Sequence, residues 1–385
     1  MNLDLTEEQK IIQDTARSFA KSELEPVAAI HDTTGDRPTF LKNLRKLGEL
    51  GLMGINVKGE YGGSEAGVVA FSLAITEVAR ACASTAVTMS VNNMVAEVIQ
   101  AIGTEEQKKA YIPKICSGEY YAGGFGLTET MAGSDPAGMR CSAVVDGNDY
   151  VLNGNKLFIT SAEYAGVFVV WAVTDKTAKK GKNISTFLVE NGTKGLTIGR
   201  AEHKMGQHGS ATNELIFEDC RIPKTALMGK LNDGFRTAAG ELAGGRIGIG
   251  SLGLGVGQAA IEFATRYAKD RKQFDQPITN FQAIQWMIAE SYTELEAARL
   301  LLMNAAFKKE QGTYFAREAS MAKYYATEAA ERACHRAIQM LGGYGYTAEF
   351  PVERYARDVR ITSIYEGTNQ IQRLIIARDI LSSMA

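Results

Sequence analysis

Ile364-Tyr365-Glu366-Gly367-Thr368-Asn369-Gln370-Ile371-Gln372 sets one carboxylate between an aromatic residue and a glycine. The glycine frees the backbone to turn. Thr368 and Asn369 are both good helix N-cap residues, and Asn369 stands in capping-box spacing from Gln372. Ile371, Leu374 and Ile375 then recur at helical spacing. The pattern predicts a helix behind Glu366, with the carboxylate just ahead of its N-terminus and beside apolar groups. There the helix dipole favours the anion and desolvation favours the neutral acid, which suits a base that must be ionised yet reactive. Read alone, the same letters fit a solvated loop glutamate better, because charged loop residues are usually exposed.

Outward from this stretch the chain divides by period. From Gly234 onward, helical apolar stripes with charged faces run over about 235–270, 279–311, 314–341 and 368–383. Four helices of this length predict an antiparallel four-helix bundle over 227–385. From Tyr120 to about Ile222 the runs shorten and fill with β-branched and aromatic residues, as in Val167–Val173, Ser185–Val189 and Asn213–Phe217. Asp146-Gly147-Asn148, Asn153-Gly154-Asn155 and Asn191-Gly192 punctuate them as turns. Residues 117–226 therefore read as a central β domain, a barrel or a sandwich. Residues 1–116 read as an N-terminal α-helical domain, with Thr6 and Thr104 as caps and Gln107 at a capping-box position. The expected class is multidomain α+β in the order helical, β, helical.

Composition narrows the function. The 385 residues carry a net charge of -2, so no basic excess argues for nucleic acid or a membrane surface. Five scattered cysteines contain no CxxC pair, and four histidines form no metal-binding pattern; no metal site and no disulfide framework are expected. The acidic N-terminus lacks the features of a secretory or transit peptide, which points to a cytoplasmic, bacterial-type protein. The longest uncharged run, Ile247–Ile261, is short and glycine-rich and reads as a packed interior helix. The literal G-x-G-x-x-G near Gly248 has no strand before it and no βαβ surroundings, so it is not a Rossmann fingerprint.

Gln339-Met340-Leu341-Gly342-Gly343-Tyr344-Gly345-Tyr346, then Arg357-Asp358 and the IYEGTNQIQR run, together resemble the C-terminal signature of the acyl-CoA dehydrogenases. Phe125-Gly126-Leu127-Thr128-Glu129-Thr130-Met131-Ala132-Gly133-Ser134-Asp135 resembles that family's first signature, and Arg271-Lys272-Gln273-Phe274-Asp275-Gln276-Pro277-Ile278 with Phe281-Gln282 is a third match. The resemblance covers essentially the whole chain. It implies bound FAD, α,β-dehydrogenation of a CoA thioester as in fatty-acid β-oxidation, an electron-transfer flavoprotein as electron acceptor, and a homotetramer built as a dimer of dimers.

Residue by residue, the resemblance makes Glu366 the catalytic base. Phe125, Leu127 and Thr128 would meet the flavin ring and its polar edge, and Phe158 and Thr160 would add an aromatic wall and a hydroxyl from one face of a strand. Ser134 would lie near the FAD pyrophosphate or the pantetheine. Arg271, Phe274 and Gln282 would hold FAD across a subunit interface, with Gln339, Gly343, Thr368 and Gln370 completing the cofactor site. Arg246, Tyr365 and Gly367 would join Ser134 on the substrate, and Thr88, Ser90, Val91, Asn92 and Met94 would line the acyl pocket. Two positions depart from the family pattern: Thr130 stands where proline is frequent, and Ala243 where an aspartate commonly sits. Some relatives carry their base just before the arginine at 246; this chain has Gly245, which leaves Glu366 as the candidate. Short to medium straight acyl chains are the expected substrates. The alternatives are an acyl-CoA oxidase, or a flavin-binding protein on the same fold without dehydrogenase activity.

Overall fold

The computed structural model describes residues 4–384. The first helical domain holds α1 (Glu7–Phe19), α2 (Ala28–Thr33), α3 (Arg37–Glu49), α4 (Gly67–Ala81), α5 (Ala83–Ile102) and α6 (Glu105–Cys116). Thr6 and Gln9 close a reciprocal capping box on α1, and Thr104 and Gln107 do the same on α6. The α4–α5 break is one residue, Cys82, extended at φ -151°. Both flanking helices are buried over most of their length, as their nearly uncharged sequences require.

The sheet comprises β1 (Gly123–Gly126), β2 (Ser142–Asp146), β3 (Asp149–Thr160), β4 (Val167–Val173), β5 (Ile184–Glu190), β6 (Leu196–Ala201), β7 (Thr212–Pro223) and β8 (Leu227–Met228). Its order is β6-β7-β3-β2-β4-β5-β8, with β1 parallel to β4. β6 and β8 are free edges, so the strands form one open sheet and not a closed barrel. The sheet nevertheless curls: Tyr150 on β3 and Phe187 on β5, strands that do not pair, bring their rings within 4.9 Å. β4 explains why its sequence is apolar throughout. Phe168, Val170 and Ala172 face the sheet's own core, while Val167, Val169 and Trp171 face the helices. Trp171 Nε1 donates to Gly234 O at 2.9 Å, tying that face to the start of the next helix.

The C-terminal part holds α7 (Gly234–Asp270), a small hairpin of β9 (Lys272–Gln273) and β10 (Gln276–Pro277), then α8 (Gln282–Glu310), α9 (Ala316–Leu341), α10 (Val352–Arg360) and α11 (Asn369–Ser383). The sequence reading did not anticipate α10. α7 is the spine; α4, α5, α8 and α9 all pack on it. Its glycines permit this closeness: a Cβ at Gly255 would lie 2.3 Å from Thr76 O on α4. Among the described residues α7 alone is long and apolar enough to cross a membrane, but 83% of that window is buried inside the protein. All five cysteines are unpaired and buried.

Candidate active site

Glu366 lies on the short bridge between the 3-10 turn Ile361–Ser363 and α11. It has φ +55° and Gly367 has φ +87°, two left-handed residues in succession. For a non-glycine residue this conformation costs roughly 1–2 kcal/mol, so surrounding bonds must hold it. They do. Gln372 Nε2 donates to the carbonyls of Glu366 (3.2 Å) and Gly367 (2.8 Å), and Lys323 Nζ from α9 donates to Gly367 O at 2.9 Å. The cap of α11 is Thr368, whose hydroxyl accepts from Ile371 N at 3.3 Å. Asn369 is the first helical residue and not a cap. With Thr368 as cap the capping-box position falls on Ile371, so Gln372 closes no box, and its Nε2 donates to the Glu366 turn instead.

The carboxylate turns inward. Glu366 Oε2 is shut off from solvent and has no hydrogen-bond partner. Gly245 on α7 makes the room: a Cβ there would sit 2.8 Å from Glu366 Oε2 and 2.9 Å from Met94 Sδ on α5. Burial raises the Glu366 carboxyl to about 7, against the opposing charges of Arg246 and Lys323. Arg246 is itself buried, with Nη1 3.3 Å from Ser320 Oγ and Nε unsatisfied. Burial lowers its pKa, and Glu366 partly offsets that. A strained, buried carboxylate with a free oxygen and two facing cations, Arg246 and Lys323, can serve as a base. Among the described residues the Glu366 N–H also has no acceptor.

Tyr365 turns the other way. Its hydroxyl receives a hydrogen bond from Gln207 Nε2 at 3.2 Å, and burial raises its pKa. The Gln207 backbone N–H donates to Asp358 on α10, so the loop after Lys204 clamps the base of the Glu366 bridge. Of the five expected pocket residues on α5, Met94 borders Gly245 as Glu366 does, and Ser90 faces Gly248 on α7. Asn92 is instead saturated by Met53 O and Gly123 N, and Thr88 bonds Ser84 O with hydroxyl contacts to Tyr164 and Ser210.

The expected flavin residues gather at the edge where β1 ends and β3 bends. Leu157 N donates to Thr128 O at 2.8 Å, which sets the segment carrying Leu127 and Thr128 beside Phe158. A one-residue bulge breaks the β3–β7 register between Lys156 and Ile159. Phe158 sits in that bulge at φ +59° and is 59% exposed. Thr160 follows, half-buried, and Phe125 packs on Trp171 with ring centroids 4.4 Å apart. Thr130 tops a tight turn in which Glu129 and Ala132 pair through their backbones, and Ser134 is exposed beyond it. An exposed aromatic plate on a strained backbone, beside small residues and hydroxyls, fits a planar polar ring.

A second group lies at the hairpin end of the bundle. Arg271, Phe274, Gln282, Gln339 and Gly343 are all solvent-exposed, Phe274 by 86% at φ +53°. Arg271 Cζ stands 5.9 Å from the Tyr344 ring centre, bringing the hairpin next to the Gly343 turn. Nothing lies within 4 Å of where a Gly343 Cβ would be. Thr368 and Gln370 stand at the start of α11, Thr368 as its cap and Gln370 exposed. Within one chain, Glu366, Gly367 and Arg246 thus come together, while the Arg271 group faces outward. Sequence reasoning missed Lys323 and Gln207, and read Asn369 and Gln372 only as a cap candidate and its capping-box partner; all four help to build the Glu366 turn. A lysine on an otherwise small, apolar helix stripe was the one available signal for Lys323.

Three acyl-CoA dehydrogenase family models match the chain: the N-terminal domain over residues 6–119, the middle domain over 124–220 and the C-terminal domain over 232–381. The chain belongs to the acyl-CoA dehydrogenase family. It is 41% identical over 381 residues to the short-chain specific acyl-CoA dehydrogenase of Clostridium acetobutylicum, covering 99% of this chain and 100% of that one. Among solved structures it resembles butyryl-CoA dehydrogenase from Megasphaera elsdenii, with 38% identity, TM-score 0.96, and 99% and 100% of the two chains covered. A chain of the structure described as an electron transferring flavoprotein of Acidaminococcus fermentans matches at 42% identity and TM-score 0.96, again covering 99% and 100%.

Proposed function

We propose that this acyl-CoA dehydrogenase binds FAD and oxidises a short acyl-CoA to its trans-2-enoyl-CoA, with Glu366 removing the α-proton. The observation that carries the reading is the buried, unpartnered Oε2 of Glu366 on a backbone held in the left-handed region. Desolvation raises the basicity of the carboxylate, and Arg246 keeps the ionised form accessible. The unbonded Glu366 N–H is a donor for the thioester oxygen, where enolate charge develops. Bound FAD supplies the hydride acceptor, and an electron-transfer flavoprotein takes the electrons onward. Phe125, Leu127, Thr128, Phe158 and Thr160 would flank the ring. Arg271, Phe274 and Gln282 would reach a cofactor shared with a neighbouring subunit, completed by Gln339, Gly343, Thr368 and Gln370. Ser134, Tyr365 and Gly367 would border the substrate.

The packing of α5 on α7 supports a short acyl group. A Cβ at Gly248 would meet Ser90 Oγ at 2.3 Å and Phe71 Cζ at 3.2 Å, so the helices touch about one turn from Met94 and Gly245. An anaerobic titration of the bound flavin tests both statements. Butyryl-CoA should bleach the flavin and palmitoyl-CoA should not. Glu366→Gln should keep the flavin yet fail to bleach with any acyl-CoA; full bleaching in that variant refutes the assignment of the base. Failure to consume oxygen with acyl-CoA alone separates the enzyme from an oxidase.

A further inference from the structure

A lysine lies under the reactive loop with no exposure at all. Lys323, in the middle of α9, points its ammonium at Gly367 O (2.9 Å) and Asn369 Oδ1 (3.0 Å), the residues one and three after Glu366. Its bonds go to a carbonyl and an amide, not to a carboxylate. A buried ammonium held only by neutral acceptors is costly, and lysine is almost never fully buried without a charged partner. Its long-range partner is the anion of Glu366. We propose that Lys323 is a positioning residue for proton abstraction: it fixes the left-handed turn that aims Glu366 and supplies the buried positive charge that keeps the Glu366 carboxylate ionised. The proposal rests on Glu366 being the base.

The surroundings agree. Asn369 is held in turn by Thr327, with Nδ2 3.0 Å from Oγ1, so the second bond of Lys323 is anchored on its own helix. Gly367 O accepts from both Lys323 and Gln372, which leaves that peptide no freedom to flip. The charged groups facing Glu366 are Arg246 on α7 and Lys323 on α9; those facing Lys323 are Glu366, Arg246, Glu328 and Glu331. Burial pulls the lysine down to about 7, and Glu366 is the largest opposing influence. Ionised Glu366 and protonated Lys323 therefore support one another, and removing either charge penalises the other.

The test is the pH dependence of flavin reduction in FAD-loaded enzyme, by anaerobic stopped flow with butyryl-CoA. Glu366 reacts as the anion, so the acid limb of the rate follows its ionisation. Lys323→Met should move that limb to higher pH and lower kcat about tenfold or more, with KM little changed. Asn369→Asp, an isosteric change, places a carboxylate on the lysine's second bond and should move the limb the same way by a smaller amount. It decides the matter if the methionine variant does not fold. An unmoved limb in the folded variants, even with a lower melting temperature, overturns the proposal and leaves Lys323 a structural residue. An active Glu366→Gln enzyme would instead remove the premise, so the two failures are told apart.

Discussion

At the residue scale Glu366 is denied what a surface glutamate has. Its Oε2 is shut off from solvent and meets no hydrogen-bond donor among the described residues, and burial lifts its carboxyl to about 7. This has a consequence for stability with a definite sign. The folded pKa lies above the ordinary value of 4.5, so the favourable contribution is complete below that value and is lost as pH rises toward 7. Glu366→Gln removes the cost of the buried charge. The variant should therefore melt higher than the parent at pH 8, by the equivalent of about 1–3 kcal/mol, with the gap closing by about pH 5. Paired melting curves of the FAD-loaded proteins check this; a gap that is the same at both pH values contradicts it. Gly245 makes the complementary point. An alanine there would press on both the carboxylate and Met94 Sδ at under 3 Å. Gly245→Ala should keep its flavin spectrum but reduce it at least about tenfold more slowly, since a base displaced by a fraction of an ångström loses its alignment.

At the element scale two opposing effects meet in α7. Replacing a mid-helix glycine by alanine ordinarily gains up to about 1 kcal/mol in helix propensity. At Gly255 the new methyl would stand 2.3 Å from a backbone oxygen of α4, which cannot swing aside as a side chain would. Overpacking of this kind costs typically 1–3 kcal/mol, so the contact wins. Gly255→Ala should lower the denaturation midpoint, and a rise would show that α4 and α7 are not this close. Such pairings also mark the limit of what the sequence discloses. The Thr6 cap and the capping box of Thr104 with Gln107 are legible because they are closed within four residues. The apolar run of β4 is legible as a strand. Whether that sheet closes is not, because closure depends on which distant strands pair. The Phe158 bulge and the Glu366 turn are equally hidden: both are left-handed at residues whose side chains disfavour it, and both are held by partners far along the chain. Local rules offered both Thr368 and Asn369 as caps; the structure gives that place to Thr368, while Asn369 accepts from Lys323.

At the scale of the whole molecule, the residues proposed for the base and the cofactor do not form one cluster within the chain. Thr128 and Phe158 lie together at the sheet edge and Glu366 lies among α5, α7 and α9, while Arg271, Phe274, Gln282 and Gly343 stand exposed at the hairpin end of the bundle. Exposed aromatic and apolar side chains accompany them along the C-terminal part: Trp286 at 61%, Tyr346 at 89% and Leu381 at 68%. Isolated exposed apolar residues need no explanation, but a strained phenylalanine 86% exposed on the same hairpin as an exposed arginine does. If a neighbouring subunit brings its own flavin edge to this turn, cofactor retention and assembly are one equilibrium, since whatever binds only the assembled form stabilises it. Arg271→Ala should then lose FAD on gel filtration and shift toward smaller species, and added FAD should reverse both changes. Light scattering on the parent should give a multiple of the 41.7 kDa chain. A monomer that holds FAD as tightly with alanine at 271 as with arginine would place the cofactor wholly within one chain and detach the hairpin from its binding.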